Sequence, residues 1–343
     1  MNATSSANNE AHLPPGELPH VSVIVVTKGN HAEAEAAVKS IIATDYPPDR
    51  REIVIVEETD NPRPITGHGT RYVVLATRNL GVGAARNEGL RHATGEIIVF
   101  TDDDCLVDRD WLKELVRPLQ ANPDAGATAG AVLVPECGPI GQCENILGFP
   151  GGGIGFVHAA RGRIMTTPTF STCNCAIRRA VLADGLRFHE GFKFAGEDQL
   201  LSRAIAEKYL ILYNPGARVR HKPRDSFAGV FKWLVRRGQA QVETVRYSYK
   251  KREHVAYIIH TSTLVRLLVA IALFTVLGIP VIPGLAVLLL IYYAFTLWRF
   301  RWARTYYRSV RTLALLPIVK LVMDIGMSAG VIKALFAKKR VES

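Results

Sequence analysis

Residues 96–104 of this 343-residue chain read EIIVFTDDD, an apolar run that ends in three consecutive aspartates. The run is rich in β-branched and aromatic residues, and it predicts a short buried strand. Adjacent carboxylates at a strand end repel each other and lose solvation unless a cation lies between them. Asp102 and Asp104 would point to the same side of a strand, which predicts a site for Mg²⁺ or Mn²⁺. The alternative is an acidic loop that caps a helix beginning near Trp111.

Apolar runs and a helical pattern alternate before this triplet. Three further strands are predicted, over residues 21–27, 52–56 and 72–75. A stretch with apolar residues on one helical face separates the first two. This alternation is typical of an α/β fold with a mostly parallel sheet flanked by helices, which binds ligands at the carboxyl ends of its strands. Glu57 and Glu58 end the second predicted strand, in agreement with that rule.

Two more segments carry candidate functional residues. Residues 79–89 read NLGVGAARNEG, and residues 196–200 read GEDQL. The first has glycines that allow a tight turn or a close approach of the backbone to a ligand. The second places two acids at the predicted start of a helix, where the helix dipole favours negative charge. An acidic helix start is also common without any catalytic role, so both interpretations of Glu197 and Asp198 stay open.

The strand at 21–27, the segment at 79–89, the aspartate triplet and the GEDQL segment occur in one order at plausible spacing. In these residues the chain resembles a family 2 glycosyltransferase with the GT-A fold, over roughly residues 20–240. The resemblance implies a metal-dependent hexosyltransferase that moves a sugar, with inversion, from a UDP- or GDP-linked nucleotide-sugar. It implies Mg²⁺ or Mn²⁺ as the cofactor.

The resemblance also implies a role for individual residues. Asp198 would be the catalytic base, and Glu197 would orient or bind the acceptor. The metal ligands would be Asp102, Asp104 and His221, although an isolated histidine is as often a loop residue. The donor-binding residues would be Thr27, Glu57, Glu58, Asn79, Gly83, Arg86, Asp102 and Asp103. Asn174 would contact the acceptor, and Arg86 would contact the diphosphate or form a surface ion pair.

Residues 222–237 contain five basic residues. They predict either a segment that closes over the diphosphate or a basic helix that lies on anionic lipid. Processive synthases of the family carry a Gln-x-x-Arg-Trp motif near this point, and the order found here, WLVRRGQ at 233–239, does not match it. A single-addition enzyme is therefore expected.

Charge divides the chain into two parts. Residues 1–221 hold 22 basic and 26 acidic residues, whereas the remainder holds 20 basic and 5 acidic residues. The net charges of the two parts are −4 and +15, and that of the whole chain is +11. The basic residues flank apolar stretches, which predicts membrane-spanning helices over about 256–278 and 281–298. The stretch 312–332 is either a third span with a Lys320–Asp324 pair or a helix in the membrane interface. The basic flanks place the catalytic domain in the cytoplasm by the positive-inside rule.

The predicted organisation is a disordered tail (1–19), a GT-A catalytic domain (20–240) and membrane-anchoring helices (241–343). The domain that would have to contact nucleic acid is net acidic, so no nucleic-acid partner is expected. The five cysteines contain no Cys-x-x-Cys pair, which disfavours zinc. We expect a multi-pass membrane enzyme that modifies a lipid-linked or glycan acceptor in cell-envelope glycan or glycoconjugate synthesis. The alternative is a catalytically silent, membrane-bound protein that binds sugar or lipid.

Overall fold

The computed structural model describes residues 17–67, 69–75, 81–135, 137–183, 185–192, 195–248 and 250–337. Within these ranges the strands are β1 (Val21–Thr27), β2 (Arg51–Glu58), β3 (Thr70–Leu75), β4 (Ile97–Asp102), β5 (Cys105–Val107), β6 (Ala125–Leu133), β7 (Met165–Thr166), β8 (Asn174–Arg178) and β9 (Leu210–His221). The helices are α1 (His31–Ile42), α2 (Val82–His92), α3 (Trp111–Ala121), α4 (Pro139–Ile146), α5 (Gly153–Ala160), α6 (Arg179–Ala183), α7 (Glu197–Ala206), α8 (Phe227–Tyr247), α9 (Lys251–Thr261), α10 (Thr263–Val276), α11 (Val281–Arg299) and α12 (Val310–Phe336). Most of the predicted tail, residues 1–16, lies outside the described residues.

One mixed sheet holds these strands in the order β3-β2-β1-β4-β8-β6-β9-β5, with β7 paired to β9. Strands β1 to β4 pair in parallel, as predicted. Beyond β4, the prediction of a mostly parallel sheet needs correction, because β8 runs antiparallel to β4 and β6 while β5 and β7 run antiparallel to β9. A reversed strand needs no helical crossover, so the alternation of strand and helix patterns predicted only the parallel part.

Helices cover both faces of the sheet. Val21, Val23 and Val25 of β1 pack in the core on the side of α1 and α3, whereas Ile24 packs on the side of α2 and α7. This alternation follows the two-residue period of a strand. With both faces buried, the carboxyl ends of the parallel strands remain as the accessible edge.

A third hydrophobic cluster joins the catalytic region to the C-terminal helices. It combines residues of α4, α5, α8 and α12. Helix α12 crosses α8 at glycines: a Cβ on Gly238 would lie 2.2 Å from the Met327 carbonyl oxygen, and one on Gly330 would lie 2.1 Å from that of Val235. Only residues without a side chain permit backbones this close.

Two of the C-terminal helices, α11 and α12, are long and apolar enough to cross a membrane, with mean hydropathies of 2.0 and 1.8. They lie at the stretches 281–298 and 312–332, whose crossing of a membrane stays a prediction. The predicted span at 256–278 is not one continuous helix, because α9 and α10 meet at a 59° bend. The hydroxyl of Ser262 accepts a hydrogen bond from the amide of Val265 and so starts a new helix at that point. The expected pair is present on α12, with the Lys320 Nζ 2.7 Å from the Asp324 Oδ2.

Candidate active site

The ends of β1, β2, β4 and β9 surround a cavity of about 720 Å³, which we call the donor cavity. Its lining includes Thr27, Glu58, Asp102, His221 and the start of α2. The register of the parallel strands places Thr27 beside Glu57 and Val26 beside Asp102, so the strands end at one level. The predicted position of the site at the carboxyl edge of the sheet agrees with this geometry.

The three aspartates differ in their surroundings. Strand β4 ends at Asp102, and Asp103 and Asp104 form the turn that follows, so the strand alternation expected for them does not apply. The carboxylate of Asp103 accepts hydrogen bonds from the Thr27 hydroxyl at 2.7 Å and from the Asn30 amide at 3.2 Å. Burial raises the pKa of Asp103 to about 6. Asp103 thus ties the turn to the end of β1.

Asp104 and His221 form the candidate metal centre. The antiparallel register of β5 and β9 pairs Cys105 with His221, and this brings the His221 Nε2 to 3.4 Å from the Asp104 Oδ1. The His221 Nδ1 lies 2.8 Å from the Lys222 carbonyl oxygen, which can accept its proton and leave Nε2 free as a ligand.

Cys105 lies within 4.8 Å of this pair of ligand atoms, but burial raises the pKa of its thiol well above the usual range. A protonated thiol is a poor ligand for a hard cation. Burial and the neighbouring Asp102 raise the pKa of the Asp104 carboxyl, and a bound cation would relieve both effects. With this thiol excluded, the donors are carboxylate oxygens, which suit Mg²⁺ or Mn²⁺, and one imidazole.

Arg86 connects the metal motif with the acids of α7. Its guanidinium donates to the Asp102 Oδ1 at 3.1 Å and to the Glu197 Oε1, and its side chain is 6% exposed. Burial and the adjacent Asp198 raise the pKa of Glu197, and Arg86 opposes this shift. The buried Glu197 and the partly buried Asp102 thus hold this guanidinium in the wall of the donor cavity, and its contact with a diphosphate stays a prediction.

Glu197 and Asp198 begin α7, as predicted, and face different spaces. Glu197 binds Arg86 on the donor side. Asp198 lines a second cavity of about 450 Å³ together with Gln199, Trp233 and Arg237, which we call the acceptor cavity. One Asp198 oxygen accepts a 2.8 Å hydrogen bond from the Gln199 amide, which fixes the carboxylate at the helix start.

The other residues predicted to bind the donor differ in their positions. The Glu57 carboxylate is buried and engaged by Tyr72 and His31, whereas Glu58 lines the donor cavity. A Cβ on Gly83 would lie 2.8 Å from the His189 carbonyl oxygen, so this glycine permits close packing of the chain, not of a ligand. Asn79 lies outside the described residues.

Asn174 has a structural role in place of the predicted acceptor contact. Its amide nitrogen donates to the carbonyl oxygens of Ala131 and Ala217, both at 2.9 Å, and its oxygen accepts from the Trp111 indole at 2.8 Å. The two bonds to carbonyl oxygens use both amide protons of Asn174. Asn174 lies in the wall of the acceptor cavity but has no donor left for a ligand.

Sequence reasoning missed the ion pair between Arg224 and Glu144. Arg224 lines the donor cavity, and its guanidinium lies 4.3 Å from the ring centroid of Trp233. Glu144, on α4, is fully buried and accepts two hydrogen bonds from Arg224. Arg224 was visible as part of a basic segment, but Glu144 belongs to no motif and is 80 residues away in the chain.

Comparison with known proteins agrees with this geometry. The family model for glycosyl transferase family 2 matches residues 22–186. This part of the chain therefore resembles a family 2 glycosyltransferase domain. The chain is 32% identical over 121 residues to the glucosyl-dolichyl phosphate glucuronosyltransferase of Haloferax volcanii, an alignment that covers 33% of this chain and 38% of the relative. It is 29% identical over 241 residues to the succinoglycan biosynthesis protein ExoM of Rhizobium meliloti, which covers 65% and 73%.

The GT-A fold is shown by a solved structure. The mannosyltransferase PcManGT from Pyrobaculum calidifontis superposes with a TM-score of 0.60 at 22% identity, over 95% of this chain and 89% of that one. By contrast, the matched region spans only 20% to 38% of the length of the first three curated relatives. The GT-A fold follows from this superposition.

Proposed function

We propose that this glycosyltransferase transfers a sugar, with inversion and with help from a divalent cation, from a nucleotide-sugar to a lipid-linked acceptor at a membrane. One observation carries the proposal. The Asp104–His221 pair and Asp198 lie in two neighbouring cavities, and the Arg86 bridge between Asp102 and Glu197 connects them. A donor site with metal ligands and an acceptor site with a carboxylate are the two parts that such a transfer needs.

The donor cavity suits a sugar diphosphate linked to UDP or GDP. Asp104 and His221 would hold Mg²⁺ or Mn²⁺, with Asp102 at the same edge, and the cation would neutralise the diphosphate leaving group. Arg224 adds a fixed positive charge to the same cavity. The complex of PcManGT with GDP-Man and Mn²⁺ supports this assignment.

Asp198 is the proposed base. Its carboxylate accepts the proton of the acceptor hydroxyl while the hydroxyl oxygen forms a bond to the anomeric carbon. The bond from that carbon to the diphosphate oxygen breaks on the opposite side, so the configuration inverts. Glu197 holds Arg86 and keeps Asp102 in place.

The C-terminal helices support a membrane-associated acceptor. Basic residues precede α10 and follow α11, and by the positive-inside rule this pattern supports a catalytic domain in the cytoplasm. The name of the Haloferax volcanii relative, a glucosyl-dolichyl phosphate glucuronosyltransferase, supports a lipid-linked acceptor in glycan or glycoconjugate synthesis. The second candidate, a silent binding protein, is disfavoured because the acids at 102, 104 and 198 are all present.

The test is the release of UDP or GDP from a panel of nucleotide-sugars by the purified full chain in detergent, with and without Mn²⁺. Release that requires Mn²⁺ or Mg²⁺, together with a product of inverted anomeric configuration by NMR, is expected. Binding of a nucleotide-sugar without turnover in the presence of membrane lipid extract would favour the silent binding protein.

A further inference from the structure

We propose that Arg237 binds the phosphate group of a lipid phosphate whose apolar chain lies between α8, α9 and α12. The proposal rests on the function proposed above and assigns the acceptor subsite to named residues. It starts from the acceptor cavity, where the candidate base Asp198 and the Arg237 side chain share one space of about 450 Å³.

Arg237 differs from the two other arginines near the site. Arg86 and Arg224 each donate to buried carboxylates. In the described part of the chain, by contrast, no carboxylate forms an ion pair with Arg237, and its guanidinium lies 5.5 Å from the ring centroid of Trp233. The charge of Arg237 lowers the pKa of the buried Glu197 carboxyl, which is already bonded to Arg86. A half-buried guanidinium that lies over an indole and has no ion pair among the described residues can bind a phosphate.

The cavities continue from Arg237 towards the apolar helices. Arg237 also lines a neighbouring cavity of about 340 Å³, and beyond it lies a third cavity of about 220 Å³. Phe149 and Tyr257 line all three, so the spaces adjoin one another. The third cavity is walled mainly by apolar residues of α8, α9 and α12, among them Leu234, Ile258, Met323, Met327 and Val331.

This order of groups fits an amphiphile. From the base outwards, a ligand would meet a carboxylate, then a guanidinium, then an apolar space beside α12, which is long and apolar enough to span a membrane. The charged groups of the third cavity, Lys320 and Asp324, pair with each other and leave no net charge there. A phosphate head with an isoprenoid or acyl chain matches the sequence of charge and hydrophobicity.

A nucleotide diphosphate is the other source of phosphate, and the geometry disfavours it. Arg237 does not line the donor cavity, which has Arg224 as its own guanidinium. The two sources predict different consequences when Arg237 is replaced: loss of lipid binding in one case and loss of nucleotide binding in the other.

The test measures binding of farnesyl phosphate and farnesol to the purified full chain in dodecyl maltoside by calorimetry, with inorganic phosphate as a third probe. We expect farnesyl phosphate to bind at least tenfold more tightly than farnesol or inorganic phosphate. Arg237→Gln should abolish this preference, and Arg237→Lys should retain part of it. Arg236→Gln, the same charge change at the exposed neighbour, should leave the preference intact.

Met327→Trp tests the apolar half of the subsite, because a larger side chain would fill the third cavity. It should weaken both farnesyl ligands at least tenfold. Binding of UDP and GDP with Mn²⁺ is measured for every variant and reports both folding and the donor site. Equal affinity of the wild type for the two farnesyl ligands, a preference that survives Arg237→Gln, or equal loss of nucleotide and lipid binding would overturn the proposal. Failure of the wild type to bind either nucleotide would instead overturn the proposed function.

Discussion

Glu144 accepts two hydrogen bonds from Arg224, one from the guanidinium at 3.1 Å and one from the backbone amide at 2.9 Å. The pair joins α4, which packs against α12, to the segment that follows β9 and lines the donor cavity. A carboxylate that is fully buried in this way fixes the arginine in the wall of the donor cavity. It also makes the stability of the fold depend on pH.

Glu144→Gln should change that pH dependence. Burial raises the pKa of Glu144 above its usual 4.5, although Arg224 opposes the shift. The folded wild type therefore binds a proton more tightly than the unfolded chain, and its free energy of unfolding falls as the pH rises from about 4.5 through the folded pKa. A tenfold difference in proton affinity between the folded and unfolded chains corresponds to about 1.4 kcal/mol.

The glutamine variant lacks this titration. The free energy of unfolding of the wild type should therefore fall relative to that of the variant as the pH rises. Denaturant titrations of both proteins between pH 4.5 and 7.5 measure it. A difference that is constant over this range, or that moves in favour of the wild type, would contradict the prediction.

Asp104→Ala should abolish metal-dependent donor binding without unfolding the protein. Removing one of the few ligands of a divalent cation loses most of the affinity of the site. Calorimetric titration of Mn²⁺ in the presence of UDP or GDP provides the measurement. The matched control is Asp108→Asn, because Asp108 pairs with Arg220 at 3.3 Å beyond the end of β5. Metal-dependent turnover that persists in Asp104→Ala would refute the metal assignment.

Asp198→Asn should separate binding from chemistry. The amide keeps the shape of the side chain but cannot take a proton, so turnover should fall by about 10²–10⁴-fold. Nucleotide-sugar affinity should stay close to that of the wild type, since Asp198 lines the acceptor cavity. Steady-state assays and donor titrations are compared, with Glu207→Gln at the other end of α7 as the control. Near-normal turnover would make Glu197 the next candidate for the base.

Arg86→Met should destabilise the catalytic domain strongly. It leaves Glu197 buried without its cation and removes the bond to Asp102, and breaking a buried ion pair from one side costs about 3–5 kcal/mol. Adding Glu197→Gln removes the uncompensated charge and should recover part of the loss. Denaturant titrations of the single and double variants test this. A loss below about 1 kcal/mol in the single variant would show that water solvates the site well enough to replace the arginine.

Asp324→Leu should destabilise the C-terminal helices. Asp324 accepts hydrogen bonds from Lys320 at 2.7 Å and from the Tyr292 hydroxyl at 3.0 Å, which connects α11 with α12. The change leaves an ammonium group among apolar residues at a cost of roughly 3 kcal/mol. Lys320→Met added to Asp324→Leu should restore most of the thermal stability in detergent. If the double variant is no more stable than the single one, the pair is not what stabilises this region.

Individual strands and helices could be predicted from the sequence because they depend on the residue pattern within each segment. Strand β1 was predicted at its observed bounds, and α7 was predicted to begin with its two acids. The break between α9 and α10 was missed because a hydropathy pattern over 20 residues does not register a single capping serine. The antiparallel strands were missed because pairing across the sheet depends on tertiary contacts.

The same limit applies to the site. Residue types at the strand ends indicated the metal motif and the acids, since chemistry restricts which side chains can serve there. Patterns could not show which acids lie beside which guanidinium. Arg86, predicted to contact a diphosphate, also binds two acids, and Arg237, one of five basic residues in its segment, lines the acceptor cavity. Partners that lie 80 to 111 residues apart become visible only in the folded chain.

The close crossing of α8 and α12 at Gly238 and Gly330 fixes the position of α8 relative to α12. Helix α12 has 27 residues, or about 40 Å at 1.5 Å per residue, and its first turn bonds to α4 through Thr312 and Gln142. If α12 spans the bilayer, the cleft is held at one level above the lipid headgroups and does not drift on a tether. Under the proposed function, an enzyme held in this way would reach acceptor groups at that level more readily than groups nearer to the membrane or farther from it.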